Sequence, residues 1–404
     1  MTRRLLLSLI PEGTVVLTAF AIVTWNPTVI SLRALAQLLP FAVFGAGLLL
    51  SWRFHRGRAL LSLVVLALAG WAASNTIADV PNSTQSGRVV FQATALLLPL
   101  NLTALAFLPE RGPFTATGML RLVMIGLEVG GVILLAYPEP APAADLLQTA
   151  VFPPTLVAWS HVGDLALLAS FTALAALTIR IAVSQGRRSG LLWALVAAML
   201  AFHTTRGDTA VMILFAAAGL AMVVGVVETS YRMAYHDALT GLPARRALNE
   251  ALDQVDGPYT VAMVDVDRFK QFNDEHGHDV GDQVLRMVGD RLKNVDGGGR
   301  PYRYGGEEFA ILFPGKTRDY CQPHLEHVRY AIESASFAIR GSRRPRKKPA
   351  KGGGSRRVRK HLSVTVSIGL AERTDGRNTP DKVVRAADQA LYRAKKSGRN
   401  RVSR

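Results

Sequence analysis

The chain has 404 residues, which gives room for two or three domains, and its formal net charge is +17. Its positive mean hydropathy of +0.21 indicates that one of the domains is too apolar to be soluble. Residues 1–230 contain no Lys, 13 Arg and 9 acids, whereas residues 231–404 hold 34 basic residues and 21 acids. The single cysteine, Cys321, excludes an intrachain disulfide, and its place in a predicted helix indicates a small packed side chain.

The apolar half contains eight runs of roughly 20 residues, the length needed to cross a bilayer. They lie at 5–25, 29–50, 59–78, 89–108, 117–137, 162–183, 191–203 and 209–227. The seventh run is the shortest, and it could instead pair with the eighth as a re-entrant hairpin. We predict an all-α membrane domain of about eight spans over residues 1–228, followed by a helical linker at 229–236.

The arginines of this half fall in alternate loops, which predicts that those loops are cytoplasmic. The arginines that follow this pattern are Arg3, Arg4, Arg53, Arg56, Arg58, Arg111, Arg187, Arg188 and Arg232, whereas Arg33, Arg88 and Arg206 fit it less well and are expected near interfaces on the outer side. Eight spans then place both termini, and the charged half, in the cytoplasm. The alternative is a cleaved signal peptide at the N-terminus, which leaves seven spans and the same location for the charged half. The ionisable residues Glu128, His161 and Asp164 are assigned to span ends, where interfacial positions are expected.

The pair Gly305-Gly306 lies between two strand-like runs, 301–304 and 309–313, and predicts a two-residue β-hairpin turn with positive φ angles. Two acids, Glu307 and Glu308, follow the turn directly. Adjacent acids beside an apolar strand indicate metal binding or proton transfer, or else a solvated hairpin tip. The stretch alone leaves both interpretations open.

The predicted buried strand at 259–264 ends in Asp265-Val266-Asp267, which places two further acids at a strand end. Magnesium prefers oxygen ligands and needs only one or two carboxylates when water and substrate phosphate supply the rest. For Asp267 we predict a different role, as the N-cap of a helix over residues 268–275.

Asn273, His278 and Asp282 follow at spacings of five and four. A carboxylate and an amide can pair with the edge of guanine, although these residues could equally be turn and cap residues. From His278 the pattern predicts a helix to residue 295. A later helix, over residues 380–397, brings Lys395 and Arg399 near its C-terminus, where they could meet a polyphosphate or complement the helix dipole.

Residues 340–360 hold 11 Lys or Arg and no acid, and they supply 11 of the 17 units of net positive charge. This composition predicts a disordered basic insertion. It could bind anionic lipid head groups, RNA or DNA, or it could be a solvated loop; the nearby membrane favours lipid over nucleic acid.

Taken together, residues 237–402 resemble the GGDEF-domain diguanylate cyclases. The matching blocks are Asp237-x-Leu239-Thr240-Gly241-Leu242, Asp265-Val266-Asp267-Arg268-Phe269-Lys270, Asn273-Asp274, Gly277-His278, Gly281-Asp282, 305–309, 364–369 and 387–400. Six or more ordered blocks make the resemblance specific. It implies an α+β domain over residues 237–404 with a palm-like, mainly antiparallel central sheet flanked by helices, on the cytoplasmic side of a bacterial inner membrane.

The resemblance also implies a reaction: two GTP molecules, one on each domain of a homodimer, become cyclic di-GMP and two pyrophosphates with the help of Mg²⁺ or Mn²⁺. No specific nucleic-acid partner is expected. The implied site residues are metal ligands Asp265, the Val266 carbonyl, Glu307 and Glu308; Glu307 as general base; phosphate contacts Lys270, Lys395 and Arg399; and nucleoside contacts Asn273, His278 and Asp282.

Two positions depart from the family pattern. Where the family often has an Arg-x-x-Asp product-inhibition site, this chain has Asp296-Gly297-Gly298-Gly299, and Ala244 replaces the usual Asn before a helix. A rival hypothesis is a catalytically silent GGDEF module that binds GTP or cyclic di-GMP as a receptor. The retained acids and the missing product site both favour an enzyme. A transporter with a regulatory tail is disfavoured because the spans carry few polar residues.

Overall fold

The structure is a computed structural model that describes residues 2–25, 33–76, 84–137, 142–157, 159–183, 189–204, 207–335, 337–338, 361–374 and 379–404. It divides into two compact units, residues 1–230 and 231–404. The predicted basic insertion at 340–360 lies outside the described residues.

The described secondary structure of the first unit consists of helices. Its helices are α1 Thr2–Trp25, α2 Arg33–Arg53, α3 Gly57–Thr76, α4 Gln85–Phe107, α5 Ala116–Ala136, α6 Pro154–Val157, α7 Asp164–Val183, α8 Gly190–His203 and α9 Asp208–Tyr235, with a 3₁₀ helix at Pro142–Gln148. Helices α2, α3, α4, α5, α7 and α9 are long and apolar enough to cross a membrane. The apolar part of α1 and helix α8 are shorter, so the count of eight spans stays a prediction.

The second unit is an α+β fold, as the sequence predicted. Its helices are α10 Arg245–Gln254, α11 Phe269–His276, α12 His278–Leu292, α13 Arg318–Glu333 and α14 Pro380–Lys396. Its strands are β1 Tyr259–Val266, β2 Arg300–Arg303, β3 Glu308–Pro314, β4 Phe337–Ala338, β5 His361–Leu362, β6 Val366–Glu372 and β7 Val402–Ser403. Five strands form the central sheet in the order β2-β3-β1-β6-β7, antiparallel except for the parallel pair β6 and β7.

The central strand β1 is buried on both faces, because helices cover both sides of the sheet. Alternate residues of β1 therefore belong to two cores. Ala262, Val264 and Val266 pack with the apolar faces of α12 and α13. Val261 and Met263 pack on the other face with α10 and α14. The same alternation places the side chain of Asp265, near the end of β1, on the face that α14 covers.

Helix α10 begins without a side-chain cap. Ala244 occupies the N-cap position in an extended conformation, with φ −84° and ψ 175°, and gives no side-chain hydrogen bond to the first turn. An Asn at this position can accept a hydrogen bond from a free N–H group of that turn. We expect Ala244→Asn to raise the free energy of unfolding by about 1 kcal/mol. Thermal unfolding of the full chain would measure it, with Ala244→Gln as the control, and an unchanged or lower midpoint would contradict the expectation.

Candidate active site

A buried ion pair lies where β1 ends. The Asp265 side chain is nearly inaccessible, and its Oδ2 lies 2.9 Å from Nζ of Lys395 on α14. Burial raises the pKa of Asp265, and the hydrogen bond and charge of Lys395 oppose that rise. Lys395 was predicted as a phosphate contact; here its ammonium group faces the carboxylate predicted to bind metal. The last turn of α14 therefore supplies the positive charge that makes a buried carboxylate tolerable.

The two hairpin acids lie beside this pair. Glu308 is the direct cross-strand partner of Asp265 in the antiparallel β1–β3 ladder. Directly opposed residues of a ladder share one face, which is here the face covered by α14. Burial and then the charge of Asp265 raise the pKa of Glu307, with a further rise from Glu308, whereas Lys395 opposes them. Two neighbouring carboxylates thus repel Glu307, and the ammonium group of Lys395 offsets part of that repulsion.

The predicted two-residue turn with positive φ angles is wrong. The last paired residues are Arg303 and Phe309, and the N–H groups of Tyr304 and Gly305 both donate to the Glu308 carbonyl, so the loop is longer. Neither Gly305 nor Gly306 has a positive φ. A Cβ at Gly305 would come 2.8 Å from Oε2 of Glu308, which is the flexible end of that side chain, so the available space does not by itself require glycine there.

The guanidinium group of Arg303 hydrogen-bonds to the backbone of the Gly305-Gly306 turn. Nε of Arg303 donates to the Gly305 carbonyl at 3.0 Å, and its Nη2 donates to the Gly306 carbonyl. Its Nη1 donates to Oδ1 of Asp237 at 2.9 Å. Asp237 also accepts hydrogen bonds from the backbone N–H and hydroxyl of Thr240. The segment that follows α9 is therefore joined to the acidic turn through one Arg–Asp pair.

This pair gives a pH dependence that can be measured. Burial acts to raise the pKa of Asp237, but the hydrogen bonds from Thr240 and the charge and hydrogen bond of Arg303 outweigh it and lower the pKa. A lowered carboxyl pKa contributes stability above the unfolded-state pKa of about 4, and that stability is lost as the pH falls through the folded-state value. We expect Asp237→Asn to lower the thermal midpoint of the full chain at pH 7, by an amount that shrinks below about pH 4. A deficit that stays constant down to pH 3 would contradict this.

Asp267 is not the N-cap of α11, so that prediction is wrong. Its carboxylate accepts hydrogen bonds from the hydroxyls of Ser367 at 2.6 Å and Thr365 at 2.7 Å, and from the backbone N–H of Asn400 at 3.1 Å. The N-cap of α11 is Arg268, in the left-handed region with φ 56°. These partners lie about a hundred residues away or more, and the local pattern of the chain gives no signal of them.

Asn400 is held by an ion-paired Arg as well. Its Oδ1 accepts from Nη1 of Arg329 at 2.8 Å, and its Nδ2 donates to Glu333 at 2.7 Å. Arg329 in turn contacts Glu326 and Glu333, both at 2.7 Å. Arg399 and Asn400 both have positive φ, at 64° and 46°, which residues other than glycine rarely adopt. The hydrogen bonds of Asn400 stabilise this backbone conformation. It thereby sets the position of the neighbouring Arg399.

The predicted nucleoside contacts lie around the start of α12. Asn273 is half-buried, and its Oδ1 has no hydrogen-bond partner among the described residues. A Cβ at Gly281 would come 1.9 Å from that oxygen, so only glycine allows Asn273 to lie against α12. Asp282 is half-exposed, with Arg286 3.9 Å away. The remaining predicted contacts, His278, Lys270 and Arg399, are solvent-exposed, and of these the charge of Arg399 acts on Asp265 and opposes the burial that raises its pKa.

The donor set fits a divalent cation, although no site is preassembled. In the described part of the chain, no group of three His, Cys, Asp or Glu side chains is arranged to hold a metal ion. The repulsion of Glu307 by Asp265 and Glu308 is nevertheless what a hard cation relieves, and oxygen ligands are those that Mg²⁺ prefers. The Val266 carbonyl, which is also predicted as a ligand, belongs to the last residue of β1; the Val266 N–H donates to the Glu307 carbonyl at 3.3 Å.

Comparison with known proteins bears on the same segment. The family model described as "Diguanylate cyclase, GGDEF domain" matches residues 234–401. This part of the chain belongs to the GGDEF family. The response regulator PleD of Caulobacter vibrioides is 34% identical over 184 residues, which cover 44% of this chain and 37% of PleD. Diguanylate cyclase DgcP of Pseudomonas aeruginosa is 35% identical over 44% of this chain and 25% of its own length.

A solved structure matches the same domain. The crystal structure of the GGDEF domain of DgcB from Caulobacter crescentus, in complex with c-di-GMP, is 34% identical, covers 42% of this chain and 92% of that domain, and has a TM-score of 0.36. The chain spans well under half the length of PleD and DgcP, so the likeness concerns the GGDEF domain and leaves the helical unit without a counterpart in these matches.

Proposed function

We propose that this protein is a membrane-anchored diguanylate cyclase that converts two GTP molecules into cyclic di-GMP and two pyrophosphates. The observation that carries the proposal is the acidic cluster of Asp265, Glu307 and Glu308 beside Lys395. It lies where the central strand β1 of a GGDEF domain ends. The relatives named as diguanylate cyclases support the same activity.

The residues of the cluster divide into roles by their chemistry. Asp265, the Val266 carbonyl and Glu308 would hold the metal, with Glu307 as a further ligand or as the base. A divalent cation bound there would neutralise triphosphate charge and make the attacking hydroxyl more acidic. Glu307 has its pKa raised towards neutrality, which suits a group that takes the proton from the 3′-hydroxyl of GTP.

The bond changes require two domains. The 3′ oxygen of each GTP forms a bond to the α-phosphorus of the other and gives up its proton, while the bond from that phosphorus to the oxygen of the β-phosphate breaks, so that two pyrophosphates leave. Lys270, Lys395 and Arg399 would contact the phosphates, and Asn273, His278 and Asp282 would contact the guanosine. Since each domain holds one nucleotide, we propose that a homodimer through the GGDEF domains is the active form.

The silent receptor is the second candidate function. It predicts nucleotide binding without turnover, and the retained Asp265, Glu307 and Glu308 argue against it. Residues 296–299, where the family often carries its Arg-x-x-Asp product site, contain three glycines, which removes the side chains that a product receptor needs there. The proposal therefore includes weak product inhibition.

The deciding experiment incubates the detergent-solubilised full chain with GTP and either Mg²⁺ or Mn²⁺, and follows cyclic di-GMP by mass spectrometry. We expect product from a dimeric sample and none after chelation of the metal. The matched control is Asp265→Asn, which removes one carboxylate charge from the cluster. A dimeric sample that binds GTP and forms no product would sink the cyclase and leave the receptor.

Membrane orientation is a separate part of the proposal. The arginine distribution supports a GGDEF domain in the cytoplasm, in contact with its substrate. The only native cysteine is buried, and burial raises the pKa of its thiol to about 11, so it gives little background labelling. Thr149→Cys should react with a membrane-impermeant maleimide in intact cells, whereas His55→Cys should react only after lysis. The opposite pattern would reverse the orientation. Lipid contact by residues 340–360 stays a prediction.

A further inference from the structure

A cavity of about 360 Å³ lies among α3, α4 and α5 of the helical unit. All three helices are long and apolar enough to span a membrane. The volume is within the range of small-molecule sites. Its walls are mostly apolar and include Val65, Leu98, Val132 and Ile133, together with Trp71. The GGDEF domain contributes none of the lining residues, so its function does not account for this cavity.

One carboxylate faces this apolar space. Glu128 was assigned to a span end in the sequence, and that assignment is wrong: it lies on α5, 12 residues after Ala116 and 8 before Ala136. At 1.5 Å per residue, each helix end is on the order of 10 Å or more away. Its Oε2 accepts a hydrogen bond from Nδ2 of Asn101 on α4 at 2.6 Å. An ionisable group at such a depth is costly and is retained in membrane proteins mainly for function.

No cation balances this carboxylate within the described ranges, where no Lys, Arg or His side chain forms an ion pair with Glu128. Neither does a basic residue line the cavity. Elsewhere in the same unit, Glu110 pairs with Arg58, so the fold does supply a basic partner to another of its carboxylates. The Glu128 carboxylate is thus available to pair with a cationic group of a molecule that enters the cavity.

Thr76, Thr94 and Asn101, which also line the cavity, already donate hydrogen bonds within their own helices. The Thr76 hydroxyl donates to the Ala72 carbonyl at 2.8 Å, and the Thr94 hydroxyl donates to the Val90 carbonyl at 2.7 Å. Nδ2 of Asn101 donates both to Glu128 and to the Leu97 carbonyl at 3.1 Å. The hydroxyl protons of Thr76 and Thr94 and both amide protons of Asn101 are therefore used, so these three side chains offer an incoming ligand hydrogen-bond acceptors rather than donors.

We propose that this cavity is a binding site for a lipophilic ammonium compound, with the cationic head on Glu128 and the apolar body between α3, α4 and α5. A cation satisfies the carboxylate that Asn101 holds in place, and the apolar walls favour a hydrocarbon or aromatic body. Because a bound ligand would contact α3, α4 and α5 at the same time, binding would couple the positions of these three helices. The proposal does not depend on the activity of the GGDEF domain.

The test measures binding of tritiated 4-phenylbutylammonium to the full chain in nanodiscs of zwitterionic lipid, with empty nanodiscs subtracted. Its uncharged match is 4-phenylbutanol, used as a competitor. We expect saturable binding of the ammonium compound. The alcohol should displace it only at concentrations at least tenfold higher than the unlabelled ammonium compound requires. Glu128→Gln should weaken binding at least tenfold, which corresponds to about 1.4 kcal/mol.

Two further variants keep the test decisive. Val132→Trp leaves the carboxylate in place and fills the cavity one turn further along α5, so it should also abolish saturable binding. Asp145→Asn removes an exposed carboxylate outside the cavity and should bind like the wild type. Binding that is unchanged in both Glu128→Gln and Val132→Trp, or equal affinity for the alcohol and the ammonium compound, would overturn the proposal.

Discussion

Replacing Glu307 by Gln is expected to lower the rate of cyclic di-GMP formation by about 10²-fold or more, with little change in folding. General base catalysis contributes on this scale, and an amide cannot take the proton from the attacking hydroxyl. Glu307 is half-buried in the turn, and the backbone hydrogen bonds there involve Tyr304, Gly305 and the Glu308 carbonyl, so its side chain is not needed for the turn. The rate is measured by mass spectrometry on the full chain, and thermal unfolding checks the fold.

The matched control is Glu250→Gln, the same substitution at an exposed position on α10, away from the acidic cluster. It should retain wild-type turnover. A Glu307→Gln protein that turns over normally would refute the assigned role and shift it to Glu308 or to a metal-bound hydroxyl. The pH profile adds a second readout: because a general base must be deprotonated to act, the acidic limb that Glu307 gives to the wild-type rate profile should be absent from the residual rate of Glu307→Gln.

The secondary structure of the GGDEF domain followed from periodicity because its elements bury complete faces. Strand β1 was predicted from its apolar run and is buried along its whole length. Helix α12 was predicted from Val284, Leu285, Val288 and Leu292, all of which are buried. Local spacing is enough in such cases, since burial of a regular face decides the element.

Contacts between residues far apart in the chain could not be predicted in this way. Asp267 stands at a position where an N-cap is common, but hydroxyls on β6 and just before it compete for the carboxylate. The Arg303–Asp237 pair joins residues 66 positions apart, and neither has an unusual local pattern. The Gly305-Gly306 pair was expected to provide positive φ, but neither residue has it. A glycine pair signals a special backbone requirement without saying which one.

Gly369→Ala is expected to destabilise the GGDEF domain by about 3 kcal/mol or more and to abolish turnover. Gly369 lies in β6, where α14 packs most closely on the sheet. A Cβ there would come 1.9 Å from the Leu391 nitrogen and 2.3 Å from the Ala387 carbonyl oxygen. Both are backbone atoms of a continuous helix, so the contact cannot be relieved by a change of side-chain rotamer. Helix α14 must move away from the sheet as a unit.

That movement links packing to the proposed chemistry, because Lys395 lies near the end of the same helix and its ammonium group is 2.9 Å from Asp265. Thermal unfolding of the full chain and formation of cyclic di-GMP are both measured. Gly306→Ala is the control for stability, since a Cβ there meets no atom within 4 Å and its φ is not positive. If Gly369→Ala unfolded at the wild-type midpoint, the close approach of α14 to β6 would be wrong. If it kept wild-type turnover despite a lowered midpoint, the position of Lys395 would be unimportant for catalysis.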